Sequence, residues 1–529
     1  MSVRLPIMAR LRTHLAPSDN FTLEEQREGI RWWMHNSIGS QVMDTLTVGA
    51  FLTAFALELG ASTITIGLLA AIPHLTQVLQ VAGVYLDDRW RNRRLICVLF
   101  TGASRPMFLL MAAAAFVQPT ELALALFATA FAARYALTAL MSCSWASWIR
   151  DLVPEAERGV LTGRRLVLMS LVSIVLGLLA AGFVDVWKAY SLGPAALAYA
   201  ILFALAFIGG VASTWCMARM SEPHVPSNLM DLDLLARLRH PFHDANFRRL
   251  LTFTATWNFA INLAAPFFMV HMLKRLGLEL SVVMALTLLS QAVNILVLQR
   301  WGDIADRLSN KSVLRVCAPL FIACIFAWTF TTFPERHALT IPLLVVIHVF
   351  TGFATAGVTV ASGNIAMKLA PHGDATAYLA TNSLLISLTA GVAPVIGGLL
   401  AHLFTERELS LILRWRTPQG ALEFGTLSLS QWDFFFAIAT AVGLVAIILL
   451  GRVREVGEVD EKVVLSEMYL QAKRFVQNVS SIAGLHQAGH FPFDKLRRRT
   501  RRALSIQHDV HASRAPAIDL DSGPDTPPK

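Results

Sequence analysis

The chain has 529 residues, of which 55% are hydrophobic and 15% are charged, and its mean hydropathy is +0.54. This is far too much apolar surface for a water-soluble domain of this length. The composition therefore excludes soluble enzymes and indicates a protein whose solvent is the lipid bilayer. The net charge of +9 does not by itself indicate a nucleic-acid partner, because membrane proteins concentrate Lys and Arg in their cytoplasmic loops.

Twelve predominantly apolar stretches are long enough to cross a bilayer, which takes about 20 helical residues. The expected fold class is thus an all-α membrane protein with twelve transmembrane helices. Residues 1–36 contain no apolar core followed by a cleavage site, so we expect no cleaved signal peptide. Within them, Phe21–Trp33 is expected to form a short amphipathic helix ahead of the first span. In chain order the twelve stretches are 37–59, 63–86, 95–117, 121–149, 166–187, 191–217, 250–273, 280–300, 313–333, 339–367, 375–404 and 432–451.

The Lys and Arg residues are distributed unevenly about these spans. Of the 45 in the chain, 36 fall on the side of the two termini, 7 fall on the opposite side, and Arg105 and Arg134 lie within spans. By the positive-inside rule, both termini are expected in the cytoplasm of a multi-pass protein of the inner (plasma) membrane. Since topology accounts for the net charge, no nucleic-acid partner is expected.

The two halves of the chain repeat each other at a nearly constant offset. The pair Leu59-Gly60 at the end of the first span corresponds to Leu276-Gly277 at the end of the seventh, 217 residues later. The loop at 86–93 corresponds in the same way to the loop at 304–311. This indicates a duplication of six helices. The predicted organisation is a cytoplasmic segment at 1–36, an N-terminal six-helix bundle at 37–217, a cytoplasmic linker at 218–249, a C-terminal six-helix bundle at 250–451 and a partly disordered cytoplasmic tail at 452–529.

The two repeated loops carry a shared motif. The first reads Asp88-Arg89-x-x-x-Arg93, and the second reads Gly302-x-x-x-Asp306-Arg307-x-x-x-Lys311. They resemble the Gly-x-x-x-Asp-Arg-x-x-x-Arg/Lys signature of the major facilitator superfamily, which lies between helices two and three and again between eight and nine. In the first copy, the glycine Gly83 stands four residues before Asp87 rather than before Asp88. The resemblance implies two pseudo-symmetric six-helix bundles and secondary transport by alternating access. The gating residues that it implies on the cytoplasmic side are Asp88, Arg89, Arg93, Asp306, Arg307 and Lys311.

Two further resemblances concern mechanism. Arg134 in the fourth span is similar to the arginine that proton-coupled members of the superfamily place near the proton path. In the eleventh span, Gly391–Gly398 resembles the Gly-Pro-x-x-Gly-Gly kink associated with antiporters. The diagnostic copy of that kink belongs in the fifth span, where the proline is missing, so both import and export stay open.

Ionisable residues inside spans are costly in lipid and indicate a functional site. Asp44 is the one carboxylate well inside a span expected to line a cavity, and it is the predicted proton carrier, with His74 as the second candidate. Arg134 remains charged at all working pH values, so it is the predicted partner of the carrier. For Arg105 both a transport role and a structural role stay open, and His348 is predicted to be structural.

Polar side chains at matching positions of the two halves predict a substrate cavity between them. His74 and Gln77, three residues apart on the second span, correspond to Gln291 and Asn294 on the eighth. The alternative is that such side chains only hydrogen-bond the helices together. The predicted substrate-binding residues are Gln41, His74, Gln77, Arg134, Trp257, Asn258, Asn262, Gln291 and Asn294.

The sequence therefore predicts a secondary active transporter of a small solute, coupled to protons, with sodium as the alternative ion. A transporter-like receptor that signals through its tail and an uncoupled carrier both stay open. No P-loop, HExxH or Gly-x-Ser-x-Gly motif is evident, so neither enzyme activity nor a cofactor is expected. The five cysteines lack metal-ligand spacing, so no metal site is expected.

The remaining expectations concern the lipid and the tail. The protein is expected to be a monomer embedded in the lipid bilayer. In the tail we expect a helix over Glu455–Val479, a basic patch at Lys495–Arg502 beside anionic lipid, and disorder at Asp519–Lys529.

Overall fold

The protein is described from a computed structural model, which describes residues 15, 21–223, 239–332, 337–371, 375–405, 407–417, 420–430, 432–455, 464 and 466, with side chains outside 408–430. Within these ranges, twelve helices are long and apolar enough to cross a membrane, which confirms the predicted spans. The predicted tail elements lie almost entirely outside the described residues. The helices are α1 Leu23–Glu58, α2 Thr63–Trp90, α3 Arg93–Phe116, α4 Thr120–Leu152, α5 Glu155–Ala189, α6 Ala195–Arg219, α7 Ala245–Arg275, α8 Leu280–Arg307, α9 Asn310–Thr332, α10 Thr340–Leu369, α11 Ala375–Leu403 and α12 Trp432–Arg452.

Several helices are interrupted. α1 is broken at Gly49, which adopts a φ of 66°, a value that glycine reaches without strain. α2 contains Pro73 and then tightens into a 3₁₀ turn, and α3 restarts at Pro106. Irregular backbone is tolerated inside a bilayer where it is buried in protein or lines a cavity. The segments are Leu23–Thr47 and Ala50–Glu58 in α1, Thr63–Leu75, Thr76–Leu79 and Gln80–Trp90 in α2, Arg93–Ser104, Pro106–Ala113 and Ala114–Phe116 in α3, Ala245–Val270 and the π-helical His271–Arg275 in α7, and Asn310–Ala327 and Trp328–Thr332 in α9.

The first helix begins earlier than the apolar stretch that predicted it. A capping box between Thr22 and Glu25 starts α1, and the segment predicted as a separate surface helix forms its first turns. Trp33 is buried here against Trp148 and Met217. The polar start of α1 is therefore helical because it packs on the ends of α4 and α6.

The long loop at 405–431 contains a β-hairpin that the sequence analysis did not predict. β1 Glu408–Thr417 pairs antiparallel with β2 Gly420–Ser430, with a register irregularity between Leu411 and Ile412. Apolar residues alternate along β1 at Leu409, Leu411 and Leu413, which is the pattern of a strand.

Helix packing brings the first six helices against the last six. α1 packs on α5 and α6, and α3 packs on α4; in the second set, α7 packs on α11 and α12, and α10 packs on α8 and α9. The two sets meet where α2 packs on α11 and α5 packs on α8. Glycine allows the first contact, because a Cβ at Gly398 would lie 2.7 Å from the carbonyl oxygen of Thr63.

Candidate functional site

A cavity of about 710 Å³ lies among α1, α3, α4, α5, α6 and α8. Its lining includes four of the residues that the sequence singled out, Gln41, Asp44, Arg134 and Gln291. The cavity also follows the break in α1, since Gly49 lines it. The other lining residues are Asn36, Ser40, Met43, Thr45, Val48, Ala50, Thr101, Arg105, Tyr135, Thr138, Met141, Trp145, Arg165, Ser173, Met217, Met284, Thr287 and Leu288.

Asp44 and Arg134 form an ion pair at the wall of this cavity. Nη2 of Arg134 lies 2.8 Å from Oδ1 of Asp44, whose side chain is 46% exposed, whereas that of Arg134 is 4% exposed. The Arg134 guanidinium also lies over the rings of Phe108 and Tyr135, at 4.9 and 4.7 Å from their centroids. Its Nε and Nη1 are buried without a hydrogen-bond partner. The structure thus places the carboxylate toward the cavity and fixes the arginine behind it.

Two further arginines contribute to the cavity. Arg105 is 4% exposed; its Nε donates to Oγ1 of Thr214 at 2.9 Å and its Nη1 to the Met43 sulfur at 2.7 Å. Arg165 donates to Oγ of Ser37 at 2.7 Å. Neither arginine forms an ion pair among the described residues. The sequence analysis missed Arg165 because it counted this residue as a loop cation; a helix start at the Pro154-Glu155 boundary would have placed it on α5.

A second cavity of about 340 Å³ lies among α7, α8, α9 and α10. It shares Thr287 and Gln291 with the first cavity, and Asn294 lines it as well. His348 also lines it, but its Nδ1 donates to the carbonyl oxygen of Leu344 at 2.8 Å. Its walls are largely apolar and aromatic, with Phe268, Met269, Met272, Phe321 and Trp328 among them.

The other five predicted substrate-binding residues line neither of these two cavities. Trp257 is 3% exposed and packs between Phe253 and Phe321, so it serves as core rather than as a cavity wall. Asn258 and Asn262 donate their side-chain amides to carbonyl oxygens one turn earlier in α7, each at 2.8 Å. His74 lies in the last α-helical turn before the 3₁₀ turn of α2, and Gln77 lies within that turn, where it accepts a hydrogen bond from Gln80.

In the predicted gating motif of the first half, Arg93 pairs with Asp87 and not with Asp88. Arg93 lies 3.6 Å from Asp87 and 2.6 Å from Asp151, whereas Asp88 and Arg89 are exposed. Gly83, four residues before Asp87, lies tightly against the carbonyl oxygen of Leu140 on α4. Successive residues of a helix point about 100° apart, so only one of the two acids can face Arg93.

Two carboxylates that the sequence analysis did not select bind the start of the third helix of each half. Glu222 accepts hydrogen bonds from the N–H groups of Arg93 and Arg94 at 3.0 and 2.9 Å. Glu455 accepts from the N–H of Lys311 at 2.7 Å and from the Asn310 side-chain amide at 2.9 Å. A carboxylate at a helix N-terminus compensates the unpaired N–H groups and the helix dipole. A repeated Arg-x-x-Glu, at 219–222 and 452–455, was the signal that could have revealed them.

The surroundings of these two carboxylates have opposite effects on their pKa values. Burial raises the pKa of Glu222 above its ordinary value, although the backbone hydrogen bonds oppose the shift. Burial acts in the same direction on Glu455, but hydrogen bonds from Lys311, Asn310 and Lys368 outweigh it and hold the pKa below its ordinary value. Lys368 Nζ lies 2.9 Å from the Glu455 carboxylate.

On the side of the termini, Arg93 pairs with Asp87 and Asp151 within the first half, and Lys368 pairs with Glu455 within the second. In the second half, Asp306 and Arg307 are exposed and Lys311 is buried beside Glu455. On the opposite side the halves do meet, because Asp185 accepts hydrogen bonds from the N–H groups of Leu280 and Ser281 at 3.0 and 2.7 Å.

A family model and solved structures identify the class of protein. The model of the Major Facilitator Superfamily matches residues 37–347, more than half of the chain, so the chain belongs to this superfamily. It is a multi-pass membrane transporter. The nucleoside transporter NupG superposes with a TM-score of 0.56 at 12% identity, covering 82% of this chain and 100% of that one. A bacterial metal transporter gives a TM-score of 0.54 at 10% identity, covering 82% and 99%. At such identities the likeness shows the fold alone, and no curated protein sequence matches the chain.

Proposed function

We propose that the protein is a secondary active transporter that moves a small solute by alternating access and couples this movement to protons through Asp44. The observation that carries the proposal is the Asp44–Arg134 pair at the wall of a cavity to which helices of both halves contribute. Two six-helix bundles, at 37–217 and 250–451, are the moving parts. An uncoupled carrier has no need of a titratable carboxylate at this place.

Alternating access is supported by where the two halves touch. Hydrogen bonds join them on the side opposite the termini, at Asp185 and from Oγ1 of Thr63 to the carbonyl oxygen of Gly398 at 3.3 Å. The cavity lining extends toward the side of the termini, where Asn36 and Met217 contribute. Both termini are assigned to the cytoplasm of the inner membrane by the positive-inside rule, so this conformation faces inward.

The proton-coupling step follows from the chemistry of the pair. Arg134 keeps its charge, so protonation can change only at the carboxylate. When Asp44 is ionised the pair holds together, and when it is protonated the attraction is lost and Arg134 is released. A cycle in which solute binding favours one of these two states couples the proton gradient to solute movement. Sodium bound at Asp44 would neutralise the carboxylate and couple transport in the same way.

The test uses purified protein in liposomes with imposed pH gradients. We expect Asp44→Asn to abolish pH-driven accumulation while leaving solute exchange measurable, because exchange needs no change in protonation. The control is Glu157→Gln, an exposed acid at the start of α5, which is expected to keep wild-type accumulation. Unchanged accumulation by Asp44→Asn under the same gradient would refute the proton-carrier role and favour sodium coupling or an uncoupled carrier.

A further inference from the structure

We infer that the transported solute is an organic oxyanion whose acidic group binds between Arg105 and Arg134 and whose uncharged body occupies the second cavity. This inference rests on the proposed function, since it assigns the substrate class of the same cavity. It is carried by the charge balance of the cavity, by guanidinium donors without partners, and by the composition of the adjoining pocket.

The cavity carries an excess of positive charge. Its charged lining consists of Arg105, Arg134 and Arg165 against one carboxylate, Asp44. A buried charge without a counter-ion is strongly unfavourable inside a membrane protein. Asp44 can balance only one of the three cations, so a bound anion would lower the free energy of the site, whereas a cation would raise it.

The donors of the two inner arginines are poised for an oxyanion. Asp44 occupies only Nη2 of Arg134, and the buried Nε and Nη1 of this residue have no partner. Arg105 directs Nη1 at the sulfur of Met43, a weak acceptor. A guanidinium offers a rigid fork of N–H groups that matches the two oxygens of a carboxylate or of a phosphonate. An oxyanion that reaches these two residues would therefore satisfy donors that have no hydrogen-bond partner within the protein, or only a weak one.

The second cavity fits the rest of such a molecule. It adjoins the first through Thr287 and Gln291, and no carboxylate, lysine or arginine lines it. Its one histidine, His348, already uses Nδ1 on its own helix. Phe268 and Trp328 supply aromatic walls, while hydroxyl and amide groups supply hydrogen bonds. The body of the solute is thus uncharged and partly apolar.

The same geometry gives the direction of coupling. An oxyanion at Arg134 competes with the Asp44 carboxylate for one guanidinium, and this competition ends when a proton neutralises Asp44. The proton comes from the aqueous phase to which the cavity opens, and anion and proton are then released together on the other side. Anion binding and proton binding therefore favour each other, which is the requirement for symport.

The experiment compares four probes that share one skeleton: 3-phenylpropanoate, 3-phenylpropylphosphonate, 3-phenylpropanamide and 3-phenylpropylamine. Binding to the purified full-length protein is measured by ligand-induced thermal stabilisation, and transport is measured by uptake into liposomes. We expect the two acids to bind and the amide and amine to bind at least about tenfold more weakly, since a charged hydrogen bond contributes that much or more.

Variants separate the two arginines from the remainder of the site. Arg105→Gln and Arg134→Gln are each expected to raise the Kd for the acids about 10-fold or more, and the Lys variants serve where Gln prevents folding. Arg164→Gln changes an exposed arginine beside Arg165 and is expected to leave the Kd unchanged. Asp44→Asn is expected to preserve or tighten acid binding, because it removes the competing carboxylate.

Three results would overturn the inference: none of the four probes binds, the amine or amide binds as well as the acids, or the folded Arg variants keep the wild-type Kd. The proposed function fails in a different way. Acids that bind but are never taken up would refute transport and leave the substrate class intact. Uptake of the amine alone would refute the substrate class and leave transport intact.

Discussion

The two capping carboxylates allow a prediction whose sign differs between the two halves. Glu455 is buried and accepts four hydrogen bonds, two from Asn310 and one each from Lys311 and Lys368. In Glu455→Gln the amide retains one oxygen and presents its NH₂ to groups that are themselves donors. At least one charge-assisted hydrogen bond is lost, which lowers the free energy of unfolding by about 1.5–3 kcal/mol at neutral pH. In a protein of this size, that loss lowers the melting temperature by roughly 2 °C.

Glu222→Gln is the internal comparison. The raised pKa of Glu222 means that burial of its charge outweighs its two backbone hydrogen bonds. A neutral amide that keeps one of those bonds therefore costs less than about 1 kcal/mol at neutral pH. Glu157→Gln, an exposed acid at the start of α5, is the control for loss of charge alone and is expected to stay within about 0.5 kcal/mol.

The pH dependence has opposite signs for the two acids. The lowered pKa of Glu455 gives stability that is present above its unfolded pKa near ~4.3 and is lost as the pH falls through the folded pKa. The raised pKa of Glu222 gives stability that is present below the unfolded pKa and is lost as the pH rises through the folded pKa. Acidification from pH 7 to pH 4 should therefore destabilise Glu455→Gln less than it destabilises wild type. The same acidification should destabilise Glu222→Gln more than wild type.

The assay is thermal unfolding of the purified protein in detergent, followed by tryptophan fluorescence across this pH range. Equal costs for the two variants at pH 7, or pH profiles that change in the same direction, would refute the assignment of opposite electrostatic environments. A shift in Glu157→Gln as large as that in Glu455→Gln would show that net charge, and not the cap, is responsible.

Two further predictions test the gating parts. Asp87→Asn is expected to lower stability by less than about 1 kcal/mol, because Arg93 keeps its contact with Asp151, and to change the transport rate. Asp88→Asn is expected to match wild type in melting temperature and liposome flux. Gly398→Leu is expected to hold α2 and α11 apart at Thr63, so a membrane-impermeant thiol reagent should label a cysteine introduced into this contact faster than in the parent; equal labelling rates would contradict a closed outer contact.

The sequence predicted the spans and the central ion pair because both depend on strong local signals. A carboxylate and an arginine are each so costly in lipid that their joint presence within one half predicts a pairing, and Asp44 does lie 2.8 Å from Arg134. The helix boundaries were harder to predict from the sequence. α1 begins at Leu23, since its polar start is stabilised by the packing of Trp33, and hydropathy carries no information about such contacts.

Side-chain direction explains most of the remaining differences. Asp87 and Asp88 are equivalent in composition, and only helix phase decides which one faces Arg93. The spacing from Gly83 indicated Asp87 as the acid of the motif, whereas the Asp-Arg dipeptide indicated Asp88. Asn258 and Asn262 looked available for substrate, yet both donate to their own helix. Short polar side chains often satisfy themselves in this way, which a linear pattern cannot distinguish from a role in binding.

The duplication has been preserved at the helix caps and lost at the centre. Glu222 and Glu455 bind equivalent helix starts, which keeps the ends of both halves alike. At the repeat offset of 217 residues, however, Asp44, Arg105 and Arg134 correspond to Ile261, Ile322 and Thr351. The charged residues that line the two cavities thus belong to the first half, while the second half contributes an aromatic pocket beside them. If both halves carried the charged set, each would compete for the same anion and proton. Because only one does, the proposed proton chemistry belongs to the first half, and discrimination among solute bodies belongs to the second.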